Sequence, residues 1–452
     1  MIPLNFKRMV RPQARSILTC SILLIGAAWF SVSVCQAQAI SSYDKQRGQM
    51  ILDQVRNDIK SNYFDASFHG VDADTVFKDA ADKMKSAQSN GQILGIIAQA
   101  VFSLDDSHTF FIPPDRQAST DYGWEMQVIG DDAYVTKVKE KSDAETKGLK
   151  VGDMVHLIDG YQPARTNLWK LVYLYYALRP QPGMHVTVSS PGQQPREMDI
   201  LAKVKTRKPI DLTNYSDYMD LVRDSQNEDA KRKKSHRLQE FGDDLLIWKM
   251  PEFDLSIDEV DNLMGKARTH KTLILDLRGN PGGYEETLLR MIGNLFGHDV
   301  KVGEIQRRKE TKPMNAKSRG ENSFSGKLIV LVDSGSASSA EILARVVQLE
   351  KRGAVIGDLT SGAVMRARTF SHELGVTSAS FYGMSVTDAD VKMSDGKSLE
   401  KAGVTPDEIK LPTGADLASK SDPVLAYAAK LAGVSIDAAK AGALFPPLKE
   451  KP

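Results

Sequence analysis

The feature that most constrains the fold is a strand, a tight turn and a helix between Leu328 and Leu349. Five consecutive apolar residues, Leu328 to Val332, predict a buried strand, and apolar residues return at helical spacing from Ile342 to Val347. A serine at the junction can lie at the carboxyl end of a sheet, beside free backbone N–H groups and the positive end of the helix dipole. Ser338 is therefore a candidate nucleophile.

Ser338 also has a simpler interpretation as a helix cap. Serine is a favoured N-cap residue, and Ser338 with Glu341 has the spacing of a Ser-x-x-Glu capping box. Because caps are much commoner than nucleophiles, this stretch alone favours the structural role. A catalytic role depends on residues elsewhere in the chain.

The first 39 residues differ from the rest of the chain. Basic residues between Lys7 and Arg15 precede an apolar run from Ile17 to Val34, which is followed by Ala37-Gln38-Ala39. This order is typical of a secretory signal cleaved after Ala39. An uncleaved membrane anchor is the alternative, because the run is almost long enough to span a bilayer. We predict a signal peptide over 1–39, and contact with a membrane only if it stays uncleaved.

Cysteine usage and charge exclude several classes of site. Cys20 and Cys35 are the only cysteines, and both lie in the predicted signal, so the mature chain would hold neither a disulfide framework nor a cysteine metal site. An exported, disulfide-free chain suggests a periplasmic or other bacterial envelope location. The eight histidines lack metal-ligand spacing, and basic and acidic residues nearly balance, so we expect no cofactor, metal or nucleic-acid partner.

Residues 42–114 have the apolar spacing of a small helical region. Stripes recur at Ile51, Val55 and Ile59, again around Phe77, and again from Ile93 to Leu104. The last stripe runs into Asp105-Asp106-Ser107-His108, a polar turn. A single histidine is usually structural, so His108 by itself indicates little.

Residues 120–204 change to short strand patterns with Gly and Pro turns. The spacing from Ala144 through Gly148-Leu149 and Gly152-Asp153 to Gly160 resembles that of a PDZ domain. Such a domain binds an extended C-terminal segment by adding it to a sheet edge. The resemblance implies substrate binding at Gly123, Trp124 and Met126, although Glu125 is a poor neighbour for a carboxylate. A charged linker is predicted over 205–240.

Residues 241–432 return to an α/β pattern, and 433–452 are predicted as a C-terminal tail. The buried strand 272–277 runs into Asp276-Leu-Arg-Gly-Asn-Pro-Gly-Gly283, a turn whose free backbone N–H groups can face a ligand. The turn lacks the Gly-Lys-Ser/Thr ending of a phosphate loop. We therefore predict an oxyanion-binding turn.

Together these motifs resemble the C-terminal processing (tail-specific) serine peptidase family. The resemblance rests on the glycine turn, on Ser336-Ala-Ser338-Ser-Ala-Glu341, on Gly403-Val404-Thr-Pro406-Asp407 and on the PDZ-like insert. It implies an α/β fold with a crotonase-like αββ peptidase core, an N-terminal helical region and an inserted PDZ-like domain. It also implies Ser338 as the nucleophile and the N–H groups of Ser339 and Gly282 as oxyanion donors.

The chain departs from the common branch of that family at one position. The family has a lysine base about twenty-five residues after the nucleophile, where this chain has Ala363. A serine hydroxyl needs a neighbouring base to act as a nucleophile. A tricorn-like branch of the superfamily uses a histidine preceded by a serine, together with a distant glutamate. Ser107-His108 and Glu400 match those positions, although lysine-type relatives carry a similar histidine.

Two functions follow from these residues. The first is an exported serine endopeptidase in which Ser338, His108 and Glu400 cleave unfolded or C-terminally exposed polypeptides. The second is a catalytically silent relative that has lost its lysine at Ala363 and acts as a peptide-binding or scaffolding module. An engineered alanine at this position is a third possibility. A short distance between His108 and Ser338 would favour the enzyme.

Overall fold

The computed structural model describes residues 40–114, 118–206, 234–374 and 380–446. The predicted signal peptide, 1–39, lies outside the described residues, as does most of the predicted linker. No helix within the described ranges is long and apolar enough to cross a membrane.

Three helices form the N-terminal helical region, as the apolar stripes predict. They are α1 (Ser42–Asn62), α2 (Ala73–Lys85) and α3 (Asn90–Phe102). The side chains of Ser41, Asp72 and Ser89 cap their N-termini. The stripes pack against one another, and α3 then leads through residues 105–109 into the short strand β1 (Phe110–Ile112).

Residues 118–206, here called the insert, form an antiparallel sheet with two short helices. A two-stranded ribbon of β2 (Ala118–Asp121) and β8 (Lys203–Thr206) forms its base. The sheet order is β3-β4-β5-β6-β7, so β3 is an edge strand. The elements are β3 (Trp124–Ile129), β4 (Asp132–Val138), α4 (Asp143–Thr146), β5 (Met154–Ile158), α5 (Leu168–Val172), β6 (Gly183–Ser189) and β7 (Arg196–Leu201).

A π-helical turn, Tyr173–Leu178, continues α5, so residues 168–178 form one helical segment with two kinds of turn. An edge strand beside a helix is the arrangement through which sheets accept an added peptide strand. The assignment of the insert to the PDZ fold stays a prediction.

The centre of the molecule is a six-stranded sheet with the order β18-β15-β14-β11-β10-β9. Its strands are β9 (Arg237–Phe241), β10 (Leu245–Lys249), β11 (Thr272–Asp276), β14 (Lys327–Val332), β15 (Gly353–Gly357) and β18 (Glu408–Ile409). Only β9 runs antiparallel to its neighbour. The helices are α6 (Ile257–Ala267), α7 (Glu285–Leu295), α8 (Ser339–Leu349), α9 (Gly414–Ala418), α10 (Pro423–Leu431) and α11 (Ala438–Ala443). Apolar clusters cover both faces of this sheet, which explains the continuous apolar strands.

A second, five-stranded antiparallel sheet lacks a counterpart in the sequence-based expectations. It consists of β1, β12 (Val300–Gln306), β13 (Thr311–Ala316), β16 (Met365–Leu374) and β17 (Ser380–Met393). Strand β17 pairs with β1, β12 and β16, and so joins the helical region to the core. These strands carry many polar residues, and the pairings of β17 with β1 and β12 join segments far apart in sequence, so no simple apolar pattern indicated the sheet.

The ends of the predicted core differ from expectation in two places. Arg237–Phe241, assigned in part to the linker, is strand β9, because it can pair with β10 along the edge of the central sheet. The predicted tail includes α11, whose Ala441 is buried under the central sheet. Both segments therefore add to the core. The structure shows a mixed α/β fold, and its description as crotonase-like stays a prediction.

Candidate active site

Two neighbouring turns carry the candidate nucleophile and the candidate oxyanion donors. Parallel strands β11 and β14 pair in register, so the turns that follow them leave the same edge of the sheet side by side. The Asp333 carboxylate accepts the N–H of Gly279 at 2.8 Å, and the Ala337 N–H donates to the Asn280 carbonyl at 2.9 Å. The predicted glycine turn and the turn over residues 333–338, here called the serine turn, are therefore hydrogen-bonded to each other.

Ser338 occupies a strained backbone conformation at the start of α8. Its φ is +51° and its ψ is −117°, a region that non-glycine residues rarely adopt. Its N–H lies 3.0 Å from the Ala363 carbonyl and 3.1 Å from Glu341 Oε2, the latter contact forming one half of the expected capping box. The next N–H, that of Ser339, has no acceptor in the described part of the chain. A free N–H beside a strained serine is suited to hold an oxyanion.

The glycine turn offers a different donor from the one selected by sequence. The Gly282 N–H donates to Asn280 Oδ1 at 2.8 Å, so it is already engaged. The Gly283 N–H, by contrast, has no acceptor among the described residues. Gly282 is instead constrained by space, because a Cβ there would lie 2.6 Å from the Ser338 Cβ at a φ of +102°. Close approach to Ser338 explains the glycine better than donation does.

Ser107, His108 and Glu400 form one hydrogen-bonded chain. The Ser107 hydroxyl lies 2.7 Å from His108 Nδ1 and 3.0 Å from Glu400 Oε2, and the Ser107 N–H donates to Glu400 Oε1 at 3.2 Å. The Val364 N–H donates to Glu400 Oε2 at 3.0 Å. The turn that carries His108 is fixed in addition by Asp106, whose Oδ1 accepts the His108 N–H at 2.8 Å. Residues almost three hundred positions apart thus meet in one network.

This chain of hydrogen bonds specifies the histidine tautomer. The Ser107 hydroxyl has one hydrogen, and donating it to ionised Glu400 leaves its oxygen to accept from His108 Nδ1–H. Nε2 then carries the free lone pair, as a general base requires. Burial lowers the pKa of His108, partly opposed by the charge of Asp106. Burial raises the pKa of Glu400, although the Val364 and Ser107 hydrogen bonds oppose the shift.

No hydrogen bond joins His108 to Ser338 within the described residues. The two are connected through the main chain of adjacent residues, because Ala363 accepts the Ser338 N–H while Val364 donates to Glu400. Serine and base are often farther apart without substrate than in the reacting complex. The direct Ser338–His108 contact stays a prediction.

A cleft of about 820 Å³ lies beside these groups. Ser107 and Asp106 line it from the helical region, Gly279, Gly335 and Ala363 from the core, and Met126 and Trp169 from the insert. A smaller groove of about 320 Å³ lies between β3 and α5 and is lined by Trp124, Met126, Tyr175 and Tyr176. Met126 lines both, so groove and cleft adjoin. Gly123, with a φ of +77°, packs against Ser142 and lines neither.

Polar contacts dock the insert onto the turns of the core. Gln127 Nε2 donates to Asp333 Oδ2 at 2.7 Å, and the Ser334 hydroxyl donates to the Val128 carbonyl. Arg165 donates to the Leu359 carbonyl at 2.8 Å and to Asp358 at 3.0 Å. The insert therefore forms one wall of the cleft and contacts the serine turn directly.

Part of this chain, including Ser338 and Glu400, matches a known peptidase family. Residues 244–409 match the model of peptidase family S41. This part of the chain is a peptidase family S41 domain. A probable CtpA-like serine protease of Staphylococcus haemolyticus is 22% identical over 397 residues, or 85% of this chain and 71% of that protein. Carboxy-terminal processing protease CtpA of Bacillus subtilis is 24% identical, over 77% of this chain and 68% of that protein.

A solved structure shares the fold of most of this chain, including the S41 domain. The crystal structure of mature CPAF superposes with a TM-score of 0.63 at 13% identity, covering 83% of this chain and 95% of that chain. The identity is too low to transfer anything beyond the fold. The S41 family itself consists of serine-type peptidases.

Two lysines line the cleft described above, although position 363 itself is alanine. Lys401 and Lys170 line the cleft, and both pair with Asp105, at 2.6 and 3.5 Å. Both ammonium groups are therefore ion-paired with the same carboxylate, Asp105, at the cleft wall. Neither donates to Ser338, so neither replaces the missing base in this structure.

The sequence identified Glu341 only as a helix cap, but its contacts extend much further. Its buried carboxylate accepts the N–H groups of Ser338, Gly362 and Ala363 at 2.8–3.1 Å, and the Thr360 hydroxyl. Burial raises the pKa of Glu341 to about 7, although these hydrogen bonds oppose the shift. Glu341 thus ties the serine to the turn that holds Ala363. The burial of Glu341 and its contacts with residues 360–363 are not indicated by the Ser-x-x-Glu pattern.

No group of three or more His, Cys, Asp or Glu side chains suited to a metal ion occurs in the described ranges.

Proposed function

We propose that this protein is an exported serine endopeptidase that cleaves unfolded or C-terminally exposed polypeptides, with Ser338 as nucleophile and His108 as base. The Ser107–His108–Glu400 network carries the proposal, because it leaves His108 Nε2 as the free basic atom and is hydrogen-bonded to Val364, the neighbour of the residue that contacts Ser338. The relative named as a carboxy-terminal processing protease supports the same substrate class.

Acylation follows from these positions. Ser338 Oγ attacks the carbonyl carbon of the scissile bond, and its proton moves to His108 Nε2. The N–H groups of Ser339 and Gly283 stabilise the negative oxygen of the tetrahedral intermediate. His108 then protonates the leaving amine as the C–N bond breaks, which leaves an acyl ester on Ser338. Water, deprotonated by His108, hydrolyses the ester and regenerates both groups.

Ser107 and Glu400 act through His108. When Nε2 takes the proton the imidazole becomes cationic, and ionised Glu400 stabilises that charge through the Ser107 hydroxyl. The neighbouring Asp106 carboxylate adds to this stabilisation, since its charge raises the pKa of His108. Ser107 and Glu400 are therefore positioning residues, whereas Ser338 and His108 touch the reacting atoms.

The substrate path is proposed along the insert. Edge strand β3 can pair with an extended peptide, and the aromatic groove of Trp124, Tyr175 and Tyr176 can take an apolar side chain. Since Met126 lines both groove and cleft, the same peptide can continue toward Ser338. Glu125 is ion-paired with Lys137 at 3.1 Å, which reduces its repulsion of a peptide carboxylate.

Fluorophosphonate labelling of the mature protein tests the nucleophile. Wild-type protein should be labelled on Ser338, and Ser338→Ala should lose both the label and cleavage of an unfolded protein substrate. Ser86→Ala is the matched control, because Ser86 is exposed and bonds only within its own helix end. His108→Gln should lose cleavage, whereas His298→Gln, at an exposed histidine, should retain it. Equal cleavage by wild type and Ser338→Ala would exclude the proposal.

The alternative is a peptide-binding module without catalysis, favoured by Ala363 at the lysine position. It predicts neither label nor cleavage in wild-type protein, together with binding of peptides in the groove beside β3. Peptide binding by Ser338→Ala and wild type with equal affinity, in the absence of any turnover, would support it.

A further inference from the structure

In a cavity separate from the cleft, half of the lining residues are cationic. It has a volume of about 580 Å³ and shares no lining residue with the cleft. We call it the basic cavity. Glu310 and Asp388 are its two carboxylates, and its five cationic residues are Arg307, Arg308, Lys309, Arg366 and Arg368.

The fold creates the basic cavity at a gap in the second sheet. Strand β17 pairs with β1 through residues 383–385 and with β12 through residues 390–393, which leaves Asp388 in the gap between them. The end of α1 borders the gap, with Ser61 and Asn62 in the cavity wall. The β12–β13 turn brings three of the cations, and β16 brings the other two. Two segments distant in sequence thus concentrate positive charge in one place.

Carboxylates of the protein neutralise only part of this charge. Arg307 pairs with Glu310 at 2.9 Å and Asp388 at 3.8 Å, and Arg366 pairs with Glu285 at 3.1 Å. Arg308, Lys309 and Arg368 form no ion pair with any described carboxylate. Like charges held around one cavity repel each other, so an anion there would stabilise the arrangement.

The donors of Arg308 indicate the shape of that anion. Its Nη1 donates to the Lys60 carbonyl at the end of α1, 2.9 Å away, and its guanidinium lies over the Phe68 ring. These contacts fix the plane of the group. Nε and Nη2 have no acceptor among the described residues, and they are the parallel pair that takes both oxygens of a carboxylate or phosphate. Arg307 Nε also lacks an acceptor there.

We propose that the basic cavity is an oxyanion-binding site that takes a phosphate or carboxylate group. Arg308 binds two oxygens of the group through Nε and Nη2, and Lys309 and Arg368 supply the balancing charge. The site is independent of the proposed peptidase mechanism, since none of its residues belongs to that network. The oxyanion has two possible sources, inorganic phosphate or the acidic side chains of a polypeptide segment.

Calorimetric titration of the full chain with inorganic phosphate tests the first source. Anisotropy of a labelled oligoglutamate peptide, with oligoglutamine as the neutral comparison, tests the second. The peptide arm uses Ser338→Ala protein, so cleavage cannot remove the probe. Saturable binding of either anion supports the site and identifies its source, and binding of neither overturns the proposal.

Charge-matched variants locate the binding. Lys309→Gln with Arg368→Gln removes two exposed cations, and affinity should fall at least about ten-fold. Lys83→Gln with Lys147→Gln removes two exposed cations elsewhere, and affinity should stay within about two-fold. Arg308→Lys keeps the charge but loses the paired donors, and should also weaken phosphate binding about ten-fold. Equal affinities of both double variants would overturn the proposal.

Discussion

The backbone N–H of Ser338 donates to the carbonyl oxygen of Ala363 at 3.0 Å. The segment that would carry the family's lysine is therefore held against the serine by its main chain, whatever its side chain. Replacing lysine with alanine removes an amine from the site but leaves the turn in place. Catalysis then requires a base from another segment of the chain.

Ser107→Ala should lower kcat about 10²–10³-fold with little change in KM. The substitution removes the acceptor of His108 Nδ1–H and the link to Glu400, so the tautomer is no longer fixed. Steady-state kinetics on an unfolded substrate measure the effect. Ser103→Ala, at a nearby serine that bonds only to Ala100, should keep wild-type kcat. An unchanged kcat in Ser107→Ala would remove the network from the mechanism.

The acid limb of kcat/KM should lie below the ordinary histidine pKa of 6.5. His108 acts as a base only when neutral, and burial lowers its pKa, so the neutral form persists to lower pH. A pH profile of peptide hydrolysis measures the limb. A limb clearly above 6.5, or the same limb in an active His108→Gln protein, would assign it to another group.

Glu341→Gln should change how stability depends on pH. The folded-state pKa of Glu341 is about 7, against 4.5 for the ordinary carboxyl, so the folded protein binds an extra proton between these values. Its contribution to the free energy of unfolding therefore falls as pH rises from about 4.5 to 7, by on the order of 3 kcal/mol. Denaturant titrations at several pH values should show this decline in wild type relative to Glu341→Gln.

The same variant should be less stable than wild type at pH 5, because a glutamine NH₂ faces donors of Ser338, Gly362 or Ala363. Parallel pH dependences of the two proteins would show that Glu341 does not titrate in this range. His108 contributes with the opposite sign, since its pKa is lowered, but it contributes equally to both proteins and cancels in the difference.

Gly282→Ala should be more damaging than Gly160→Ala. Both glycines have positive φ, +102° and +84°, but the new Cβ meets Ser338 Cβ at 2.6 Å in the first and nothing within 4 Å in the second. Backbone strain of about 1–2 kcal/mol is common to both, and displacement of Ser338 is specific to Gly282. Thermal unfolding and the rate of fluorophosphonate labelling compare them. Equal labelling rates would contradict the close approach.

The sequence predicted those parts of the molecule whose patterns are local. The strand before Asp333, the helix after Ser338 and the helices with apolar stripes all follow from the spacing of apolar residues. The second sheet was missed because its strands carry many polar residues and because β17 pairs with β1 and β12, which are distant in sequence. The start of β9 was assigned to the linker because its charged residues continue the charged pattern of the segment before it.

At the candidate site, the sequence selected side chains that the fold brings into one hydrogen-bonded chain, but not the atoms through which they interact. Ser107, His108 and Glu400 were selected from a family resemblance, since no spacing rule relates residues so far apart. Gly282 was selected as an oxyanion donor, but its N–H donates to Asn280 Oδ1. This hydrogen bond depends on the folded conformation of the turn. The contacts of Glu341 with residues 360–363 also depend on two turns that meet only in the folded chain.

Asp333 has consequences for exchanging modules between such proteins. Its Oδ1 accepts the N–H groups of Gly279 and Gly335, and its Oδ2 accepts the side-chain amide of Gln127 from the insert. One carboxylate thus serves three separate segments. A foreign domain grafted between the helical region and the core must bring a side-chain donor to the position of Gln127. Without that donor, a chimera would lose the one contact through which its new domain reaches the carboxylate that joins the glycine turn to the serine turn.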